Sequence, residues 1–281
     1  KDKVTPNELM TAMLMAPVDL LWFGGIGTYI KADSESHLDV GDRANDAIRV
    51  NGEDVAAKVV GEGANLGATQ LGRIEYGLNG GRLNTDAIDN SAGVDCSDHE
   101  VNIKILIDAN VAAGKMTVNQ RNKLLASMTD EVGLLCLVDN YQQSQAITLT
   151  QSKGVGAIEN QARMIRKLEK LDRLNRSVEY LPDDEMIAER IADHQGMMRP
   201  ELAVLMSYAK IWVNDELLDS SLPDDKALLD VRVRRLQHPD TYAQVPPSRT
   251  RHVIGNVVLD GQAGEELHAR SNLVMFEYRM D

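Results

Sequence analysis

The chain has 281 residues, a length that suits roughly two domains. Hydrophobic residues make up 43% and charged residues 26%, which excludes general disorder. With 30 Lys and Arg against 43 Asp and Glu, the net charge of −13 disfavours an extended nucleic-acid face, though not a local anion site built from backbone N–H groups.

Leu9–Ala16 is a short apolar stretch, but Pro17 and Asp19 interrupt it, so neither a signal peptide nor a membrane span is expected. Val18–Phe23 then forms an apolar run closed by Gly24-Gly25-Ile26-Gly27, and Ala56–Val60 a second one closed by Gly61-Glu62-Gly63-Ala64-Asn65. Continuous apolar runs that end in glycines predict buried parallel strands. Thr69–Leu78 has helical character and stops at Gly80-Gly81, and Leu83–Ile88 reads as a short strand or extended segment. Strand, turn, helix and strand in succession is the unit of an α/β fold.

The texture changes at Ser97. Ser97-Asp98-His99-Glu100 has capping-box spacing and predicts a helix that Gly114 ends. Thr117–Gln120 is a second capping box, opening a helical pair to about Leu149 with a break near Thr129. Ile158, Ala162, Ile165 and Leu168 mark an amphipathic helix, and Asp183 caps another through Ala192. Pro200 occupies a first-turn position, followed by the stripe Leu202, Leu205, Met206, Ala209, Trp212 and Val213. After Pro223 three further prolines interrupt the pattern; Val253–Leu259 is a strand or an ill-defined segment, and poor order is expected there. The fold class is therefore α/β: a partial parallel sheet followed by an all-helical region.

Cys96 and Cys136 are too few for a disulfide framework or a tetrathiolate zinc site, which suits a reducing, cytoplasmic setting; no metal site is expected. Three turns carry the functional interest: Gly24–Gly27, Gly61–Gly67 and Asn90–Gly93. If the strands are parallel, all three lie at carboxyl ends, where open α/β sheets bind ligands. Glycine lets a ligand approach the backbone, and an asparagine amide offers both a donor and an acceptor. Each residue also has a plain structural reading. Asn65 and Asn90 are turn formers, Ser97 caps its helix, and His99 is a surface or inter-element contact. Cys96 is a small buried thiol, and Arg163, Arg166, Lys167 and Lys170 form a solvated face or a docking surface.

The run Lys58–Ile105, KVVGEGANLGATQLGRIEYGLNGGRLNTDAIDNSAGVDCSDHEVNIKI, closely resembles the large bacterial NAD-specific glutamate dehydrogenases. LLWFGGIGTYIKA at 20–32, GDRANDAIRVNG at 41–52, QARMIRKLEK at 161–170, LDRLNRSVEYLP at 171–182 and MRPELAVLMSYAKI at 198–211 are similar to the same family, which the pattern follows as far as Leu222. The resemblance implies a partial Rossmann-type sheet. It also implies oxidative deamination of L-glutamate to 2-oxoglutarate and ammonia, with hydride transfer to NAD. It assigns Asn65, in the turn that holds Gly63, to the nicotinamide ribose, Asn90 to the nicotinamide carboxamide, and Ser97 to a substrate carboxylate. Gly24 and Gly25 pass beside the cofactor. NAD rather than NADP follows from the resemblance alone.

The family's catalytic lysines and aspartate, and its first phosphate loop, match nothing in this chain, so no catalytic residue is assigned. The implied molecule is a fragment, inactive alone, whose partners are the rest of the same enzyme chain and further copies in a homo-oligomer, with no nucleic acid and no membrane. The domains expected are 1–114, the later half of an NAD-binding domain; 115–222, helical; and 223–281, a tail without assigned function. The competing reading is a non-catalytic helical interaction or oligomerisation module. Convergence of Gly24, Gly63, Asn65, Asn90 and Ser97 on one open cleft favours the cofactor reading.

Overall fold

The structure, a computed structural model, describes residues 3–222, 249–263 and 266–278. The chain divides into two compact units, Lys1–Leu205 and Met206–Asp281. The first begins with helix α1 (Pro6–Leu14), opened by a Thr5–Glu8 capping box and a proline in its first turn. Strand β1 (Leu20–Phe23) follows, then β2 (Ile30–Lys31), a one-turn helix α2 (His37–Val40), β3 (Val50–Asn51) and β4 (Val59–Glu62). β1 pairs with β4 in parallel from Leu20↔Val59 to Phe23↔Glu62, and β2 pairs with β3 in parallel. Parallel bridges Ile30↔Ala68 and Val59↔Arg82 extend both pairs.

Strand parity decides what is buried. Phe23, Val60 and Glu62 point inward; Phe23 and Val60 join Leu14, Ile30, Val50, Val55, Ala57, Ala68, Tyr76 and Leu83 in one core. The opposite face is open, with Leu20 and Trp22 each 56% exposed. The strands expected to be buried are therefore buried on one face only.

Helix α3 (Gln70–Leu78) starts at Thr69, whose hydroxyl accepts from the Gly72 N–H. Leu83–Ile88 is not a strand. Only Arg82 bridges to Val59, and Asp86–Asp89 is the one-turn helix α4, which begins at Thr85. α5 spans Ala92–Ala112, not Ser97 onward. Ser91 already has helical φ and ψ, and the Asp95 N–H donates to its carbonyl, so Ser97 lies in the second turn. A side chain inside a helix has no N-terminal donors to cap.

The remaining helices follow their sequence signals. They are α6 (Val118–Ser127), with its Thr117–Gln120 box, α7 (Thr129–Gln151), α8 (Val155–Lys170), α9 (Asp184–Ala192), capped by Asp183, and α10 (Arg199–Asp219). On α8, Ile158, Ala162, Ile165 and Leu168 are completely buried, and each large aliphatic side chain there contributes about 1.5–3 kcal/mol. The buried pair Arg190 and Glu201 ties α9 to the start of α10 through bonds of 2.6 and 2.8 Å. The Val253–Leu259 run lies in β5 (Arg249–Ala263), antiparallel to β6 (Glu266–Tyr278) in the second unit. Residues 223–248, where poor order is also expected, lie outside the described residues.

Candidate functional site

The turns after β1 and β4 are adjacent because their strands are parallel neighbours. The Ala64 N–H donates to the Phe23 carbonyl at 3.1 Å, which brings Gly24 beside the Gly63–Asn65 turn. Gly24 and Gly25 are exposed, and a Cβ at either would meet nothing closer than 4.0 Å. Asn65 comes from this turn and Asn90 from the junction of α4 and α5. Their side chains meet: Asn90 Nδ2 donates to Asn65 Oδ1. Asn65, Leu66, Asp86, Ala87, Asn90 and Val94 line one open depression of about 440 Å³. Ser97 is exposed on α5, one turn beyond Val94.

Gly63 has a different neighbour. A Cβ there would stand 2.4 Å from Trp22 Cζ2, and one on Gly61 2.5 Å from Trp22 Cε3. The two glycines form a floor on which the Trp22 indole lies. The space that a missing Cβ leaves at Gly63 is thus taken by an indole.

The turn is held from below by a buried ionic group. Glu62, with no exposed surface, accepts from Arg73 Nε and Nη2 at 2.7 and 2.8 Å and from the Ala68 N–H at 3.1 Å. Arg73 Nη2 also lies 3.3 Å from Asp86 Oδ1, while Asp86 Oδ2 accepts from the Leu66 N–H at 2.9 Å. Asp89 accepts from the Glu62 N–H at 2.9 Å and from Asn84 Nδ2 at 2.7 Å. Burial pushes the Glu62 carboxyl above its ordinary range, against the pull of Arg73. Burial likewise raises Asp89, against its bonds from Asn84 and Glu62. Desolvation pulls Arg73 down, but Glu62, Asp86 and Asp89 together outweigh it and move the guanidinium up. Arg199 at the start of α10 reaches the same group through Asn84 Oδ1 at 3.0 Å.

Sequence reasoning singled out Gly24, Gly25, Gly63, Asn65, Asn90 and Ser97. It missed Glu62, Arg73, Asp86 and Asp89. One signal was available: strand parity puts Glu62 on the same face as Val60, so a carboxylate there needs a buried partner. Cys96 is exposed, not buried, and Cys136 is the buried thiol. His99 makes an inter-element contact, to Asp139. Arg163, Arg166 and Lys170 are exposed on α8, with Arg166 paired to Asp184 at 3.1 Å.

The model of the family described as bacterial NAD-glutamate dehydrogenase, catalytic domain, matches residues 1–150. The chain belongs to this family. A model described as glutamate dehydrogenase, C-terminal, matches residues 194–235, and one described as ring hydroxylating beta subunit matches residues 219–281. The chain is 56% identical over 227 residues to the NAD-specific glutamate dehydrogenase of Pseudomonas aeruginosa, covering 81% of this chain and 14% of that protein. It is 52% identical over 229 residues to that of Halomonas elongata (82% and 14%) and 53% identical over 222 residues to that of Mycobacterium tuberculosis (79% and 14%). The chain thus spans 14% of the length of these relatives. Among the described residues, no helix is long and apolar enough to cross a membrane.

Proposed function

We propose that this chain contributes the nicotinamide side of the cofactor site in an enzyme that oxidatively deaminates L-glutamate. Within that enzyme L-glutamate, NAD+ and water give 2-oxoglutarate, ammonium, NADH and a proton. The observation that carries the reading is the meeting of the Asn65 and Asn90 amides at the head of a parallel strand pair.

The donor set fits a carboxamide. The Asn65–Asn90 bond uses Asn90 Nδ2 and Asn65 Oδ1, which leaves Asn90 Oδ1 to accept from the carboxamide NH2 and Asn65 Nδ2 to donate to a hydroxyl of the nicotinamide ribose. One contact to the carboxamide and one to the adjoining ribose together select which ring face is turned to the substrate. Gly24 and Gly25 leave the backbone accessible at the adjoining strand end. NAD+ supplies the hydride acceptor when bound. Ser97, exposed one turn along α5 from Val94, donates its hydroxyl to a substrate carboxylate on this reading. The Glu62–Arg73 group takes no part in the chemistry; it fixes the turn that carries Asn65.

On this reading residues 1–114 form the later half of a Rossmann-type domain, 115–222 a helical domain, and the proton-relaying lysines lie elsewhere in a longer, homo-oligomeric cytoplasmic enzyme. Two assays test it. The 281-residue chain with L-glutamate and NAD+ produces no NADH absorbance. The full-length enzyme carrying Asn90→Leu, with its fold intact by circular dichroism, loses affinity for NAD+ by about 10-fold or more, as expected when a desolvated amide contact is left unpaired. Unchanged affinity in that variant, or turnover by the chain alone, refutes the assignment.

A further inference from the structure

On the face of α5 turned away from Ser97, three ligating side chains converge. Asp95 and His99 stand one helical turn apart, and Asp139 reaches them from α7. The positions are about 200° of helix away from Ser97 on either side, so the cluster is separate from the nicotinamide depression. His99 Nε2 lies 3.5 Å from Asp95 Oδ1 and 3.5 Å from Asp139 Oδ2, and all three atoms fall within 4.8 Å of one another. These side chains are half-buried.

The spacing is informative. At 3.5 Å the contacts are longer than a good N–H···O bond, which runs to about 3.2 Å. They sit close to the edge of a tetrahedron: zinc–nitrogen and zinc–oxygen bonds of about 2.0–2.1 Å put ligand atoms about 3.3–3.4 Å apart. The two carboxylate oxygens, within 4.8 Å of each other, repel unless a cation lies between them. Asp95 Oδ2 is shielded from solvent without a hydrogen bond of ordinary geometry. Cys136, one turn before Asp139 on α7, is a buried thiol. Asn140, next to Asp139, donates to Ser91 Oγ at 3.0 Å and to the Ile88 carbonyl at 2.7 Å, so α7 is already fixed against the start of α5. A three-atom set on two helices locked in this way is preorganised.

We propose that Asp95, His99 and Asp139 bind one zinc-class divalent cation, with water in the fourth position, and that the ion pins α5 to α7 behind the Asn90 junction. One imidazole and two carboxylates are a donor set for Zn2+ or Co2+ rather than for Ca2+, which takes six to eight oxygens.

The test uses the full 281-residue chain, stripped with chelator and titrated with ZnCl2 by calorimetry and with CoCl2 by visible absorption. The expected result is one ion per chain, a four-coordinate Co2+ spectrum and a rise in melting temperature. His99→Gln and Asp139→Asn, each folded like the parent by circular dichroism in chelator, bind Zn2+ at least about 100-fold more weakly, while Glu100→Gln and Cys136→Ser bind as the parent does. If His99→Gln does not fold, Asp95→Asn takes its place. Absence of Zn2+ binding by the parent overturns the proposal and leaves a histidine held between two aspartates. Binding that survives His99→Gln and Asp139→Asn, or that is lost in Cys136→Ser alone, overturns it as well, because the ion then sits elsewhere.

Discussion

Replacing Arg73 by Met probes the ionic group beneath the candidate site. The methionine keeps most of the apolar length but removes both bonds to Glu62, at 2.7 and 2.8 Å, and the contact with Asp86. Glu62 has no exposed surface, so its carboxylate is left with the Ala68 N–H in a low-dielectric pocket. Removing one partner of such a pair costs about 3–5 kcal/mol, a large share of the ~5–15 kcal/mol that stabilises a domain. The loss carries a pH signature. Burial already raises Glu62 in the folded state, and removing Arg73 raises it further. A carboxyl with a raised folded pKa binds its proton more tightly folded than unfolded, so the penalty is full at neutral pH and shrinks as pH falls through the folded value. Urea denaturation followed by Trp22 fluorescence, in a Trp212→Phe background, measures both effects. Arg73→Met should lose about 3–5 kcal/mol near pH 7 and recover part of it toward pH 5, and adding Glu62→Gln should restore much of the loss at neutral pH. A deficit below about 1 kcal/mol, or one that does not shrink on acidification, refutes the view that this pair holds the turn.

Two glycines with similar close approaches should respond differently. Gly81→Ala puts a Cβ 2.2 Å from the ring of Tyr76, which is 1% exposed and donates to the Ala57 carbonyl, so stability should fall by about 1–3 kcal/mol in the same urea assay. Gly63→Ala meets Trp22 at 2.4 Å, but that indole is 56% exposed and can swing outward; a red-shifted emission with a stability change under about 1 kcal/mol is expected. At the other end of the unit, Arg176 holds Glu169 at 2.6 Å and Asp184 at 3.1 Å and keeps both carboxyls below their ordinary range. Groups with depressed folded pKa values stabilise fully above about pH 4.5 and lose that contribution as pH falls through the folded values. Arg176→Met should therefore flatten the acid limb of the stability profile, and an unchanged limb counts against the cluster.

The sequence was most legible where local chemistry acts alone. Thr117 with Gln120, Asp183 and Pro200 mark helix starts because capping and first-turn preferences involve only a few neighbouring residues. The spacing of Ile158, Ala162, Ile165 and Leu168 exposes a single buried face for the same reason. Ser97 shows the limit. Its S-x-x-E spacing satisfies a capping box, but the chain is helical from Ser91, and the upstream turn overrides a local signal. Leu83–Ile88 failed similarly, since Asp86 and Asp89 are drawn into a tertiary ionic group that no local pattern contains. The meeting of Asn65 and Asn90 depends on parallel pairing of β1 with β4. Glycine-closed apolar runs suggest that pairing, but only the register in space joins two residues 25 positions apart.

The cofactor reading rests on Asn90 holding the nicotinamide carboxamide and Asn65 the adjoining ribose. A structure of the full-length enzyme with NAD+ bound decides the point. The nicotinamide carboxamide should lie within about 3.2 Å of the Asn90 side chain and the adjoining ribose within the same reach of Asn65. A cofactor bound elsewhere, with the Asn65–Asn90 pair intact and untouched, contradicts it.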